Sequence, residues 1–303
     1  MRIASTQVVY DLIKMDKRVV ALTADNGNGP YNNIRVDFPE QYIDYGIAES
    51  NMIASAAGLA SCGKIPFLYT ITNFMSMRAF EFIRNDVCIG NQNVKFLGRS
   101  SGLVSSNMGA THQGTEELAL LRTLPNMLVI TPASPIEARE ATKFAYQHQG
   151  PVYIRLEGFN ETELFDSNYN FVLGKANIIR QGKDVTIISM GSVISEAIKA
   201  ADMLSEKGIT VKIINMPMVK PIDKEIICKA VIDTKMIITL EEHSIFGGLG
   251  SAVAECLAEN GMATKFFRMG LDCIASGSGN RSDVREINKI SYKDIIDTIE
   301  RNL

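Results

Sequence analysis

Tyr45-Gly46-Ile47-Ala48-Glu49-Ser50-Asn51-Met52 is the stretch from which the fold is read: a strand end that turns into a helix, with one carboxylate at the bend. Before it, Gln41-Tyr42-Ile43-Asp44-Tyr45 alternates like a strand; after it, Ile53-Ala54-Ser55-Ala56-Ala57-Gly58-Leu59-Ala60 is a small-residue helix that lets another backbone come close. Glu49 at the head of that helix has two readings. Either it is a partner of the helix dipole, worth on the order of a few tenths of a kcal/mol, or it is a carboxylate held in a dry crevice for chemistry.

Outward from this turn the chain alternates strand and helix. Ala4 to Asp16 is an amphipathic helix with Val8, Val9, Leu12 and Ile13 on one stripe, and Val19-Val20-Ala21-Leu22-Thr23 is an apolar run suited to a parallel strand covered on both faces. Asp25-Asn26-Gly27-Asn28-Gly29-Pro30 is a loop. Strands are expected at Ile65 to Thr70, Val94 to Gly98, Met127 to Ile130 and Pro151 to Arg155, with helices at Met75 to Ile89, Thr115 to Arg122 and from the Ser134-Pro135-Ile136-Glu137 cap. From Gly158 to about Gly182 the periodicity lapses, which reads as a linker. Strands at Val185 to Ser189, Val211 to Asn215, Met236 to Leu240 and Lys265 to Met269 then alternate with helices near Ser195 to Lys207, Asp223 to Val231 and Leu249 to Glu259, and a last helix starts at Ser291. The expected fold class is α/β, two doubly wound, mainly parallel-sheet domains over 1–157 and 183–303, joined by 158–182.

The 303 residues suit two domains, and 46% hydrophobic with 21% charged residues is an ordinary globular composition. A net charge of -3 and a pI near 5.8 offer nothing to nucleic acid or an anionic membrane. No apolar run approaches the roughly 20 residues of a membrane span, and the N-terminus has no apolar signal core, so a cytoplasmic location is expected. Five scattered cysteines without Cys-x-x-Cys spacing read as small apolar residues, not as disulfides or zinc ligands, and no metal ligands are assigned.

Gly46-Ile47-Ala48-Glu49-Ser50-Asn51-Met52 resembles the Gly-Ile-Ala/Arg-Glu-X-Asn/His-Met signature of the transketolase group, and the likeness runs from Arg2 to about residue 270 over that family's pyrimidine-binding and C-terminal domains. The resemblance implies dependence on thiamine diphosphate, with Glu49 bonded to N1′ of the aminopyrimidine and so priming loss of the thiazolium C2 proton. Burial in a low-dielectric crevice would favour the neutral carboxyl that such proton sharing needs. The family's diphosphate-binding domain holds Mg2+ and the diphosphate through Gly-Asp-Gly and a later Asn, and no Gly-Asp-Gly occurs in this chain. It therefore looks like half an enzyme, whose partner is a diphosphate-binding subunit in an α2β2 heterotetramer.

Further residues carry over from the same likeness. Ile47 and Asp25 fall on the cofactor side, and Phe74 stands where the family places an aromatic against the pyrimidine, although the usual spacing to Arg78-Ala79-Phe80 points to Met75. A core Phe is the structural alternative. His112, in Gly109-Ala110-Thr111-His112-Gln113, matches Gly-x-Thr-His-Gln, whose His contacts substrate oxygens and can shuttle protons. Arg155 and Arg2 match two arginines that hold a substrate phosphate through the planar guanidinium fork; a loose terminus is the alternative for Arg2. His243 resembles a landmark of the C-terminal domain and reads as structural. Ser100 replaces a substrate-binding His, and Met108 an Asp that reads a sugar hydroxyl. Losing a buried partner for a hydroxyl changes selectivity strongly, so a substrate other than the common pentose phosphates is expected, with or without a phosphate.

The expected activity is transfer of a two-carbon ketol unit from a ketose to an aldose, with sugar or sugar-phosphate substrates. Alternatives are a 1-deoxyxylulose-phosphate-synthase-like or 2-oxoacid dehydrogenase beta-subunit-like thiamine enzyme, or an interaction subunit without activity. Thr111-His112-Gln113-Gly114 argues against the dehydrogenase, and retention of Glu49 with His112 against the scaffold.

Overall fold

The computed structural model describes residues 1–27, 29–158 and 161–303. It divides into two compact units: unit 1 is Met1–Ser101 with Leu120–Phe171, and unit 2 is Gly102–Ala119 with Val172–Leu303. Asn28 of the Asp25–Pro30 loop lies outside the described residues.

Unit 1 is built on six parallel strands, β1 (Val19–Thr23), β2 (Tyr42–Asp44), β3 (Ile65–Ile71), β4 (Lys95–Arg99), β5 (Leu128–Ile130) and β6 (Val152–Leu156), in the order β5-β6-β4-β3-β1-β2. Every residue of β1 and β6 is buried, as an apolar run covered on both faces requires. The chain leaves β1 toward β2 and returns to β3 on the other side, so the strand order reverses at β1, and ligand crevices form at the carboxyl ends beside such a point. Thr23 and Asn26 mark that edge: the Thr23 hydroxyl donates to the Tyr69 carbonyl at 3.0 Å, and the Asn26 amide donates to the Ala24 carbonyl at 2.8 Å.

Most helices follow the sequence reading, while the short helices Asn32–Asp37 and Arg281–Ile287 were not read from it. The first helix spans Arg2–Met15, and Pro135–Gln147 begins where Ser134 accepts from the Glu137 N–H. The continuous helix expected over Met75 to Ile89 is instead two π-helical stretches, Phe74–Arg78 and Ile83–Ile89, around a short α turn at Phe80–Phe82. An apolar stripe does not separate a wide turn from an α turn, and π turns gather at functional sites.

Unit 2 has a sheet in the order β12-β11-β8-β9-β7, from β7 (Asn177–Arg180), β8 (Val185–Ser189), β9 (Val211–Asn215), β11 (Met236–Ser244) and β12 (Lys265–Leu271); the short β10 (Met218–Lys220) lies outside that sheet. All pairs are parallel except β7, which runs antiparallel to β9 at the edge. β7 falls in the aperiodic stretch read as linker; it is partly exposed and carries no buried apolar run. The closing helix, Tyr292–Asn302, starts at a capping box of Ser291 and Asp294.

Lys95 is fully buried at the start of β4, where its ammonium donates to the carbonyls of His148 at 2.8 Å and Gly150 at 2.6 Å. Burial pulls it from the usual 10.5 to about 7. Between these values the unfolded chain binds one proton more than the folded one, so this group makes stability rise with pH there. Urea unfolding from pH 7 to 10 should show that rise in the native protein and a flatter profile in Lys95→Met; parallel profiles would exclude it.

Candidate active site

The bend at Gly46 decides where Glu49 sits. Gly46 has φ 63°, a left-handed conformation that an L side chain adopts at a cost, and an added Cβ would meet nothing within 4 Å. The conformation, not space, calls for glycine. The Asp44 carboxylate accepts from the N–H groups of Gly46 and Asp25, both at 3.0 Å, and so ties the turn after β2 to the loop after β1. Asp25 and Gly46 thereby share one acceptor, and Asp25 and Ile47 are both exposed, Ile47 to 78%.

Glu49 is the first residue of the helix Glu49–Ser61 and is only 1% exposed. Arg78 donates to its Oε2 at 2.7 Å, and the same guanidinium lies 5.1 Å from the centre of the Phe74 ring. The π-helical turn Phe74–Arg78 presents ring and cation together, while Met75 is buried in the core. Glu49 and Phe74 thus border one planar group. Arg78, quoted above only as part of a motif, is the contact that the sequence reading missed as a site residue.

A second cluster occupies the ends of β3 and β4. Arg99 donates to the Asn26 side-chain Oδ1 at 3.2 Å and lies 6.0 Å from the Tyr69 ring centre, with its Nε buried and unpartnered. Arg2 is buried beside Tyr69; burial lowers its guanidinium from the usual range against the pull of Tyr69, and the like charge of Arg99 adds to the lowering. The helix that begins at Arg2 holds it in this cluster. Ser100 follows Arg99, buried, with φ 59°, so this serine occupies the left-handed region. Arg155 is buried in β6 opposite Gly98 and pairs with Glu157 at 3.4 Å.

His112 belongs to unit 2, half-buried in the loop after Gly102, with Nδ1 2.9 Å from the Thr111 hydroxyl. Among the described residues no group of three or more His, Cys, Asp or Glu could hold a metal ion.

Comparison with known proteins identifies the family. The family model for the transketolase pyrimidine-binding domain matches residues 1–158, and that for the transketolase C-terminal domain matches 174–295. An apulose-4-phosphate transketolase subunit of Actinobacillus succinogenes is 37% identical, covering 86% of this chain and 84% of the relative. The 6-deoxy-6-sulfo-D-fructose transketolase subunit of a Clostridium species is 38% identical, covering 84% and 79%. A solved split gene transketolase, described as an inactive beta4 tetramer, superposes with a TM-score of 0.91 at 36% identity over 99% of this chain and 97% of that one. The chain belongs to the transketolase family.

Gly46→Ala isolates the strain at the bend. It should lower stability by about 1–2 kcal/mol in urea unfolding, because no contact is gained or lost; an unchanged midpoint would mean that the turn relaxes into another conformation.

Proposed function

We propose that this member of the transketolase family is the pyrimidine-binding subunit of a two-subunit transketolase that moves a two-carbon ketol unit from a ketose donor to an aldose acceptor. Glu49 carries the reading: a carboxylate 1% exposed, at the head of a helix, in a segment matched by the pyrimidine-binding family model. The surrounding residues fit the coenzyme's aminopyrimidine. A flat cation already lies against both the Glu49 carboxylate and the Phe74 ring, which is the pair of contacts that a flat, N–H-bearing heterocycle needs. Thiamine diphosphate, when bound, supplies the carbanion chemistry of ketol transfer.

The roles of this chain's residues follow. Glu49 holds a proton against the ring nitrogen, Phe74 packs on the ring face, and Ile47 and Asp25 border it. His112 binds a substrate oxygen and can carry a proton, while Arg2, Arg155 and Ser100 serve the substrate end. The sequence has no Gly-Asp-Gly, which supports Mg2+ and the diphosphate being held by a separate subunit, in an α2β2 assembly. The inactivity of the beta4 relative fits a chain that needs that partner. Relatives named for apulose-4-phosphate and for 6-deoxy-6-sulfo-D-fructose support a substrate other than the common pentose phosphates, in keeping with Ser100 and Met108. A cytoplasmic place in sugar metabolism completes the proposal; no described helix is long and apolar enough to cross a membrane.

Alone, the chain should bind thiamine diphosphate weakly and show no turnover, and mixing with the diphosphate-binding subunit should restore both. In the mixture Glu49→Ala should abolish exchange of the coenzyme's C2 proton with solvent while leaving assembly intact; exchange at the native rate would refute the role. His112→Ala should weaken substrate binding or slow turnover modestly with cofactor affinity preserved, and a collapse of cofactor affinity would remove it from the substrate side.

A further inference from the structure

The loop that carries His112 is held at its base by consecutive residues of β11. Gly102 and Gly114 exchange N–H to carbonyl bonds at 2.7 and 3.1 Å, closing the neck of the loop. The Leu103 N–H then donates to Glu242 Oε2 at 2.9 Å, and the Leu118 N–H donates to His243 Nε2 at 3.2 Å. The Ser244 N–H donates to the Thr115 carbonyl at 2.7 Å. Farther out, Ser106 bonds the Gly279 backbone through its hydroxyl at 2.8 Å and its carbonyl at 3.3 Å. The tip remains open: Asn107, Met108, Ala110 and Thr111 are exposed, and His112 is half-buried.

Glu241, Glu242 and His243 are all 0% exposed, a costly place for two acids unless they are fully paired. Their pairing shows what they are for. Glu241 accepts from Leu249 and Gly250, capping the helix Leu249–Glu259. Arg281 and Arg285 both bond the Glu242 carboxylate; burial alone would raise it, and these two guanidiniums hold it below the usual carboxylate range. His243 Nε2 accepts from Leu118, so the proton is on Nδ1, which donates to the Ser244 carbonyl at 2.7 Å. Apolar side chains of similar volume would fill the core, but they could not hold three backbone segments in register.

We infer that Glu242 and His243 are positioning residues, which act through the backbone at Leu103 and Leu118 to hold the substrate loop and the His112 side chain for ketol transfer. The inference rests on the substrate role given to His112 above.

The test uses the assembled two-subunit enzyme with hydroxypyruvate, which carries the same ketol unit, as the donor probe. His243→Phe removes the acceptor for Leu118; it should speed amide hydrogen exchange in 102–119 and raise KM for the probe, each roughly tenfold, with exchange of the coenzyme's C2 proton unchanged. His243→Gln keeps an acceptor within reach of Leu118 and should return both values toward native. Arg281→Gln loosens Glu242 from its rim without emptying the core, and should move the same two quantities in the same direction. Native loop exchange in His243→Phe and Arg281→Gln would overturn the clamp, and so would a fall in C2 exchange that accompanies the rise in KM. Faster loop exchange with an unchanged KM would overturn the positioning role, and His112→Ala with both KM and turnover at native values would separately show that the substrate reading of His112 was at fault.

Discussion

A carboxylate withdrawn from water needs a partner, and in this chain that need shapes both units. Glu49 is 1% exposed and has one guanidinium 2.7 Å away. Taking an ion out of water costs several kcal/mol unless the lost solvation is replaced. An ionised acid at the head of the Glu49–Ser61 helix is offset by a nearby cation, and the π-helical turn at Phe74–Arg78 supplies one. The left-handed Gly46 and the doubly bonded Asp44 complete the arrangement by fixing the direction in which the helix starts. Backbone geometry, ion pair and aromatic ring then meet at the carboxyl ends of the parallel strands, where the reversal of strand order leaves room for a ligand.

In unit 2 the same constraint works on the backbone. Glu242 and His243 turn their buried polar groups to N–H donors at Leu103 and Leu118, 139 and 125 positions away, and Glu241 to those of the helix that follows it. The paired arginines satisfy Glu242 from a short helix, Arg281–Ile287, whose own buried residues are Val284 and Arg285. A C-terminal sheet that could be taken for a passive appendage thus holds the segment bearing His112.

Most of the architecture was legible in the sequence, and the misses have a common cause. Val185–Ser189, Val211–Asn215 and Leu249–Glu259 have the bounds read from their periodicity, because strands covered on both faces and amphipathic helices write their burial into the residue pattern. β7 was not legible: an edge strand with one neighbour needs no apolar run, and Asn177–Arg180 lies in polar sequence. The Arg281–Ile287 helix is short and mostly exposed, so its pattern is too weak to stand out. The π turns escaped because apolar spacing is nearly the same for wide and ordinary turns. Of the candidate residues, Glu49, Phe74 and His112 were named from motifs, whereas Arg78, Asp44 and Arg99 were not singled out; each is an ordinary charged residue until its partner is seen.

The sequence by itself determined the alternation of strands and helices, the glycine that turns the chain before Glu49, and the motif around His112, since each is a matter of local conformation and neighbouring residues. Only the tertiary structure decided that Arg78 holds Glu49 and that Gly102–Ala119 packs with the second unit under the grip of Glu242 and His243. Periodicity reports which face of an element is buried. Which charge meets which depends on contacts between residues as far apart as Leu103 and Glu242, 139 positions along the chain, and no local pattern records that.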